Sequence, residues 1–323
     1  MIFAQIIQVK IYKSIDAFKA IDNAVVTIGT FDGVHVGHQK LIQRLDEIAL
    51  QSHGEVVLLT FFPHPRMVLH PENHGLQLLN TMDEKMKLLE HSGIGHLIIH
   101  PFSKEFSRLT SVEFVRDILV NKIGMKKLVI GYDHHFGRNR EGSIEALNEL
   151  SPVYDFDVNQ IPEQEINDIA VSSTKIRNAL IQGEISTANS FLGYKYELTG
   201  MVVKGHQVGR SLGYPTANIS VDEDYKLIPG EGIYAVTVFL IENNQPKKFK
   251  GALSIGTRPT FNDTKTSIEV YIIDFDKNIY DQKITLQFEA RIRGQKKFDN
   301  TESLIAQINS DVEIAKNLIT INN

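Results

Sequence analysis

Five short runs in the first half of the chain constrain its fold more than any other feature: Ala24–Thr30, Glu55–Phe62, His96–His100, Lys127–Gly131 and Asp155–Ile161. Most carry Val, Ile and Leu on both faces. That suits strands buried on both sides of a sheet, not strands with one wet face. Helical stretches separate them at Gly37–Ser52, Met82–His91 and Val112–Lys122. Two of these begin with a capping box, Thr81 with Glu84 and Thr110 with Glu113, and Gly93 and Gly124 stand near their ends. Strand alternating with helix predicts an open parallel sheet with helices on both faces.

After about residue 185 the pattern changes. Tyr196–Lys204, Gly232–Ile241, Lys248–Ser254, Ser267–Phe275 and Lys283–Ile292 are β-rich, and Ile268, Val270 and Ile272 alternate in period two. Such strands predict a small antiparallel barrel. The tail, Thr301–Ile319, reads as an amphipathic helix capped by Thr301, with Leu304, Ile305, Ile308, Val312 and Ala315 at helical spacing. The fold class is therefore α/β plus all-β. At roughly 150 residues per domain, 323 residues make two domains. They are expected at 1–185 and 186–323, with the helix Thr174–Gln182 closing the first and Gly183–Asn189 as the joint.

Composition removes several function classes. Cysteine is absent, which excludes disulfides, thiolate metal sites and a cysteine nucleophile. No window approaches ~18 apolar residues, so no membrane span is expected. The start of the chain lacks a basic region and a small-residue cleavage site, so a cytoplasmic location is expected. Lys plus Arg is 34 against 39 for Asp plus Glu, a net charge of −5, which argues against a nucleic-acid partner. The sequence sets no oligomeric state.

Chemistry concentrates in two places. Gly29-Thr30-Phe31-Asp32-Gly33-Val34-His35-Val36-Gly37-His38 leaves the first strand and enters the first helix. Glycines let backbone approach a ligand, and helix N–H groups favour phosphate. His35 and His38, three apart, can both face one anion and donate to phosphate oxygens as charge develops. Phe62-Pro63-His64-Pro65 and Gly131-Tyr132-Asp133-His134-His135-Phe136-Gly137-Arg138 end two further strands, where open α/β sheets bind ligands. Ser172-Ser173-Thr174-Lys175-Ile176-Arg177 opens a later helix with hydroxyls and two cations. The second concentration is Gly205-His206-Gln207-Val208-Gly209-Arg210-Ser211-Leu212-Gly213-Tyr214-Pro215-Thr216-Ala217-Asn218. Its glycines suit N–H groups that wrap phosphates. Thr216 and Asn218 offer neutral oxygens suited to Mg²⁺. The histidine motif alone would equally serve an adenylyltransferase acting on a nicotinamide or pantetheine phosphate, with the barrel regulatory. A non-catalytic flavin or nucleotide binder is a further reading of the same residues.

These motifs, in this order, resemble the bacterial bifunctional riboflavin kinase/FAD synthetase family, whose first module is a Rossmann-like nucleotidyltransferase. The resemblance covers nearly the whole chain. It implies that Gly29, Phe31, Asp32, His35, Gly37 and His38 line an ATP site, with Ser172, Thr174 and Arg177 on the triphosphate. Pro63, His64 and Asp133 would sit near FMN. In the second module Gly205, Gly209, Arg210, Gly213, Pro215, Thr216 and Asn218 would form the kinase nucleotide site, Thr216 and Asn218 its metal site, and Glu269 its general base. The loop expected at Gly256–Phe261 matches too. The partners implied are riboflavin, FMN, FAD and ATP, with Mg²⁺. Two positions depart from the family: Asp281 stands where Gly is common, and Gly294 where a charged residue is more frequent.

Overall fold

The structure is a computed structural model. It describes the chain except residues 1–8, 73–74, 91, 132–135, 139–140, 162–170, 206–208, 210–211, 243–244, 261–262 and 322–323. The chain divides into two compact units, Met1–Ser172 and Ser173–Asn323. No helix among the described residues is long and apolar enough to cross a membrane.

The first unit is a six-stranded parallel sheet of β1 (Lys10–Tyr12), β2 (Ala24–Ile28), β3 (Glu55–Phe62), β4 (His96–Pro101), β5 (Met125–Gly131) and β6 (Asp157–Ile161). Its order is β1-β4-β3-β2-β5-β6. The chain winds outward from β2 through β3 to β4, then returns to β5 on the other side of β2. That reversal makes a switch point between β2 and β5, and ligands of open α/β sheets bind at the carboxyl ends there. All five residues of β2 are buried, because both sheet faces are covered. Ala24, Val26 and Ile28 belong with Phe114, Leu119 and Leu147. Val25 belongs with Ile42 and Leu45 of α1 (Val36–Ser52) and Leu89 of α3 (Met82–Glu90). Between α1 and α3 lies the short α2 (Pro65–Leu69).

Both expected capping boxes are present. Glu84 N–H donates to Thr81 Oγ1 and Thr81 N–H to Glu84 Oε2; Thr110 and Glu113 exchange the same pair. The second begins α4 (Ser111–Glu113), which runs on as π-helical turns over Phe114–Ile123 and ends at Gly124 with φ +81°. A further helix, α5 (Ile144–Tyr154), crosses from β5 to β6. The short β1 and α5 were not anticipated from the sequence.

The second unit is a closed antiparallel barrel, in the order β10-β11-β8-β7-β12-β9. Its strands are β7 (Glu197–Val203), β8 (Thr216–Ser220), β9 (Gly232–Glu242), β10 (Gln245–Thr260), β11 (Asp263–Ile272) and β12 (Lys283–Arg293). Strand β8, read from sequence as the tail of a glycine loop, pairs with both β7 and β11 and so closes the barrel. The inward positions Leu198, Val236, Leu253, Val270, Leu286 and Phe288 are fully buried.

The tail helix, α8 (Thr301–Leu318), covers part of the outside, with Val312, Ala315 and Ile319 against Ala235 and Ile273. Its cap is Asn300, not Thr301: Ser303 N–H donates to Asn300 Oδ1 at 2.8 Å. Asp281 has φ +61°, so it keeps the left-handed turn that a glycine would make, a conformation Asp tolerates.

The division between units falls earlier than the expected joint. Helix α6 (Ser173–Gln182) goes with the barrel unit. Gly230 N–H donates to Leu180 O and Arg291 Nη1 to Gln182 O, and α6 packs on α7 (Ile185–Leu192). Helix α7 occupies most of the stretch expected as a joint.

Candidate active sites

The first site is built on the turn from β2 into α1. Gly29 continues the sheet, donating its N–H to Leu59 O at 3.1 Å. A Cβ on Gly29 would stand 2.9 Å from the Phe31 ring, so only glycine lets that ring fold back here. Three of the four residues from Phe31 to Val34 have positive φ: Phe31 (+47°), Gly33 (+87°) and Val34 (+38°). A positive φ is rare for a β-branched residue and must be held by its surroundings.

The supports are visible. Asp32, 1% exposed, accepts the Leu79 N–H on Oδ1 at 2.9 Å. Lys85 Nζ of α3 donates to Thr30 O at 2.7 Å, and Thr60 Oγ1 donates to the same oxygen at 3.3 Å. Gln39 Nε2 donates to Val34 O at 2.8 Å.

His35 is the N-cap of α1: its Nδ1 accepts the His38 N–H at 3.4 Å. A ring that accepts on Nδ1 carries its proton on Nε2, which leaves Nε2–H as a donor. The His35 and His38 rings stack at 3.7 Å and 17°, and the Phe31 ring lies 4.9 Å from that of His38. Burial pushes the His35 imidazole down to about 4, with Asp32 opposing. His38 is lowered for the same reason, helped by His35 and Lys85. Both rings are neutral at pH 7. His38 Nδ1 is buried without a hydrogen-bond partner. Neutral N–H donors, a helix N-terminus and buried Gly37 in its first turn form a surface matched to phosphate oxygens.

Of the other first-unit candidates, His64 caps α2 by accepting the Arg66 N–H at 3.1 Å, and Pro63 is exposed just before it. Both follow β3, whose carboxyl end is next to that of β2 in the sheet. Asp133 lies outside the described residues. Ser172 ends the first unit, while Thr174 and Arg177 stand one turn apart on α6 of the second.

The second site lies on the outside of the barrel. In β11, Ile268, Val270 and Ile272 are buried, so the pleat turns Glu269 and Tyr271 outward. Register sets Glu269 opposite Asn218 and Tyr271 opposite Thr216. Thr216 Oγ1 donates to Glu269 Oε2 at 3.2 Å. Gly205 and Gly209 of the preceding segment lie close against these groups. A Cβ on Gly205 would fall 2.2 Å from Asn218 Nδ2, and one on Gly209 2.3 Å from Tyr214 O. Leu212 N–H and Tyr214 N–H both donate to Gly209 O, with Gly213 at φ +87° between them. Pro215 follows Tyr214, whose ring meets Tyr271 edge-on at 5.3 Å and whose hydroxyl donates to Asn309 of α8.

Thus Gly205, Gly209, Thr216, Asn218 and Glu269 come together; Arg210 lies outside the described residues. The segment from Gly256 to Thr260 is the end of strand β10, not a loop, and Phe261 is outside the described residues. Gly294 leaves room where a side chain is usual: a Cβ there would lie 3.7 Å from Arg291 Nη2.

Hydroxyl, amide and carboxylate oxygens on two paired strands are the hard donors Mg²⁺ prefers beside phosphates and water. Among the described residues no cluster of three His, Asp or Glu side chains is arranged to hold a metal. Thr216, Asn218 and Glu269 would suit Mg²⁺ bound together with phosphates.

Sequence reasoning missed Lys85, Thr60 and the Leu79 N–H, the supports behind the histidine turn. The available signal was Lys85 itself, four residues before buried Leu89 and so on the apolar face of α3.

Comparison with known proteins finds a family match in each half of the chain. Residues 18–175 match the FAD synthetase family and residues 192–319 the riboflavin kinase family. The bifunctional riboflavin kinase/FMN adenylyltransferase of Buchnera aphidicola (from Schizaphis graminum) is 36% identical, over 95% of this chain and 98% of that one. The Listeria monocytogenes enzyme of the same name is 37% identical over 90% of each. A crystal structure described as a macrolide-efflux protein from Streptococcus pneumoniae has the same fold, with TM-score 0.84 and 30% identity over 96% of this chain and 99% of that one. Two family matches in tandem and full-length relatives bearing both activities make one conclusion: the chain belongs to the bifunctional riboflavin kinase/FMN adenylyltransferase family, enzymes of flavin biosynthesis that use ATP.

Proposed function

We propose that the two activities are divided between the two sites, adenylyl transfer at the histidine turn and riboflavin phosphorylation on the barrel face. Adenylyl transfer is assigned to residues 1–185 and riboflavin phosphorylation to 186–323; Thr174 and Arg177, on a helix that packs with the barrel unit, are assigned to the first activity by the family resemblance. The observation that carries the division is the difference in proton chemistry. The barrel face has a carboxylate, Glu269, held by a hydroxyl donor. The histidine turn has neutral imidazoles, and its carboxylate, Asp32, is engaged by a backbone N–H.

On the barrel face Glu269 takes the proton of the riboflavin 5′-hydroxyl, and that oxygen attacks the γ-phosphorus of ATP, releasing ADP. A hydroxyl is a poor nucleophile at neutral pH, and a positioned base contributes about 10²–10⁴-fold. Thr216 orients the carboxylate, and Asn218, opposite Glu269 in register, holds the nucleotide side. Gly205, Gly209, Arg210, Gly213 and Pro215 shape the loop that encloses the phosphates. Magnesium, when bound by Thr216 and Asn218 with the phosphates, offsets phosphate charge.

At the turn the nucleophile is the FMN phosphate, already an anion, so no base is required. Its oxygen attacks the α-phosphorus of ATP and pyrophosphate leaves. His35, through Nε2–H, and His38 donate to phosphate oxygens as their charge grows. Gly29, Phe31, Asp32 and Gly37 shape the nucleotide pocket, with Ser172, Thr174 and Arg177 on the triphosphate. Pro63, His64 and Asp133 border FMN.

A crystal grown with Mg²⁺ and a non-hydrolysable ATP analogue tests the assignment. Two nucleotides are expected, one with its phosphates on the His35–His38 turn and one between the Gly205–Gly213 loop and Thr216. Nucleotide bound at neither position overturns the reading.

A further inference from the structure

Lys85 has no role in the chemistry described above, yet it occupies an expensive position. It is 4% exposed, and taking an ammonium out of water is costly even after relaxation. It also stands near the amino end of α3, where the helix dipole already disfavours a cation. A leucine or methionine would pack beside Leu89 without either cost. Burial holds the Lys85 ammonium below lysine's ordinary range, and Asp32 alone among its neighbours offsets this.

What the ammonium does is donate to Thr30 O at 2.7 Å, at the last residue before the left-handed stretch. A few residues upstream, Leu79 N–H is held by Asp32 Oδ1. The segment from Leu79 to Lys85 therefore grips the turn at two points, before and within the strained residues. Left-handed φ in a non-glycine residue crowds its Cβ against the backbone and is strained. Phe31 and Val34 both carry it, so the turn needs an external hold to keep one shape.

We infer that Lys85 is a positioning residue for adenylyl transfer: its ammonium fixes the Thr30 carbonyl, and through it the Phe31–Val34 turn that aims His35 and His38. The inference rests on the assignment of that turn to adenylyl transfer. The clamp acts on the reacting geometry and not on FMN or ATP binding as such. Its loss therefore falls on kcat, since small misplacement of catalytic groups is costly to rate.

The test uses the full chain, with FMN and Mg·ATP as substrates and riboflavin phosphorylation by the same molecules as internal control. Lys85→Met is expected to lower kcat for FAD formation ~30-fold while KM for FMN and for ATP moves less than about threefold. Riboflavin phosphorylation is expected to be unchanged, and Lys85→Arg, which keeps donor and charge, to regain a large part of the loss. A Lys85→Met kcat within about threefold of the parent overturns the inference, as does a loss expressed wholly in KM. If Lys85→Met unfolds the first unit, Lys85→Gln, which keeps an N–H donor, decides. A folded variant with reduced kcat supports the role; parental kcat, or unfolding here too, overturns it. His38→Ala is assayed alongside. If it keeps adenylyl transfer, the histidine-turn assignment has failed; if it abolishes transfer while Lys85→Met does not, only the Lys85 inference has.

Discussion

On the proposed division, the two sites meet the same cosubstrate with opposite materials. The first unit holds every histidine of the chain except His206, and its site is a backbone turn in unusual φ, clamped from behind by buried polar groups. The second site is regular pleated strand: Thr216, Asn218 and Glu269 face outward because Val270 and its neighbours face inward. On the proposed division, one site works with donors and no base, the other with a base on a rigid sheet, as an anionic nucleophile in one case and a hydroxyl in the other would require. A strained turn gives fine control of aim and depends on its supports; a barrel strand gets its geometry from the fold.

The comparison can be broken most forcefully at Glu269. Glu269→Gln removes the base while keeping the shape, and is expected to lower FMN formation about 10³-fold. FAD formation from supplied FMN should be untouched when flavins are separated by chromatography. Next, His38→Ala is expected to cut FAD formation about 10²-fold, with FMN accumulating from riboflavin. Either variant silencing both activities while still folded would show that the sites are not separate.

A smaller effect is expected from Gly205→Ala. Its Cβ would meet Asn218 at 2.2 Å and displace it, lowering kinase kcat/KM roughly tenfold and leaving adenylyl transfer alone.

The smallest effect sharpens the contrast through pH. The folded His35 pKa is about 4, below its ordinary 6.5, so the unfolded state binds more protons between those values. Stability of the first unit is therefore full above about 6.5 and declines as pH falls toward 4, by roughly 3 kcal/mol from His35. Burial lowers His38 in the same sense. Thermal unfolding across this range should show the first unit's transition moving down with acidification more than the barrel's. Equal shifts would contradict the buried neutral histidines.

Much of this was legible in the sequence, for reasons that differ by element. The parallel strands announced themselves because burial on both faces demands unbroken apolar runs, as in Val56–Leu59. The outward position of Glu269 was legible from period two, since Ile268, Val270 and Ile272 had to face one way, but its role as a base came only from the family resemblance. Strand β8 was not. Its five residues, T-A-N-I-S, follow a glycine loop and carry few apolar side chains, and only pairing with β7 and β11 makes them a strand. The early boundary at Ser173 was hidden too, because α6 is tied to the barrel by backbone carbonyls, which leave no mark on sequence. The clamp on Thr30 left only a partial mark: Lys85 shares a helix face with Leu89, but its acceptor is a backbone carbonyl that the sequence does not show.

Complementation tests the central division of labour most directly. Purified Glu269→Gln and His38→Ala proteins are each given riboflavin and Mg·ATP, then mixed. The account predicts no flavin nucleotide from the first alone, FMN without FAD from the second alone, and FAD from the mixture, because FMN released by one barrel reaches the other's histidine turn. A mixture that makes FMN but no FAD, although the Glu269→Gln protein is folded, would contradict it.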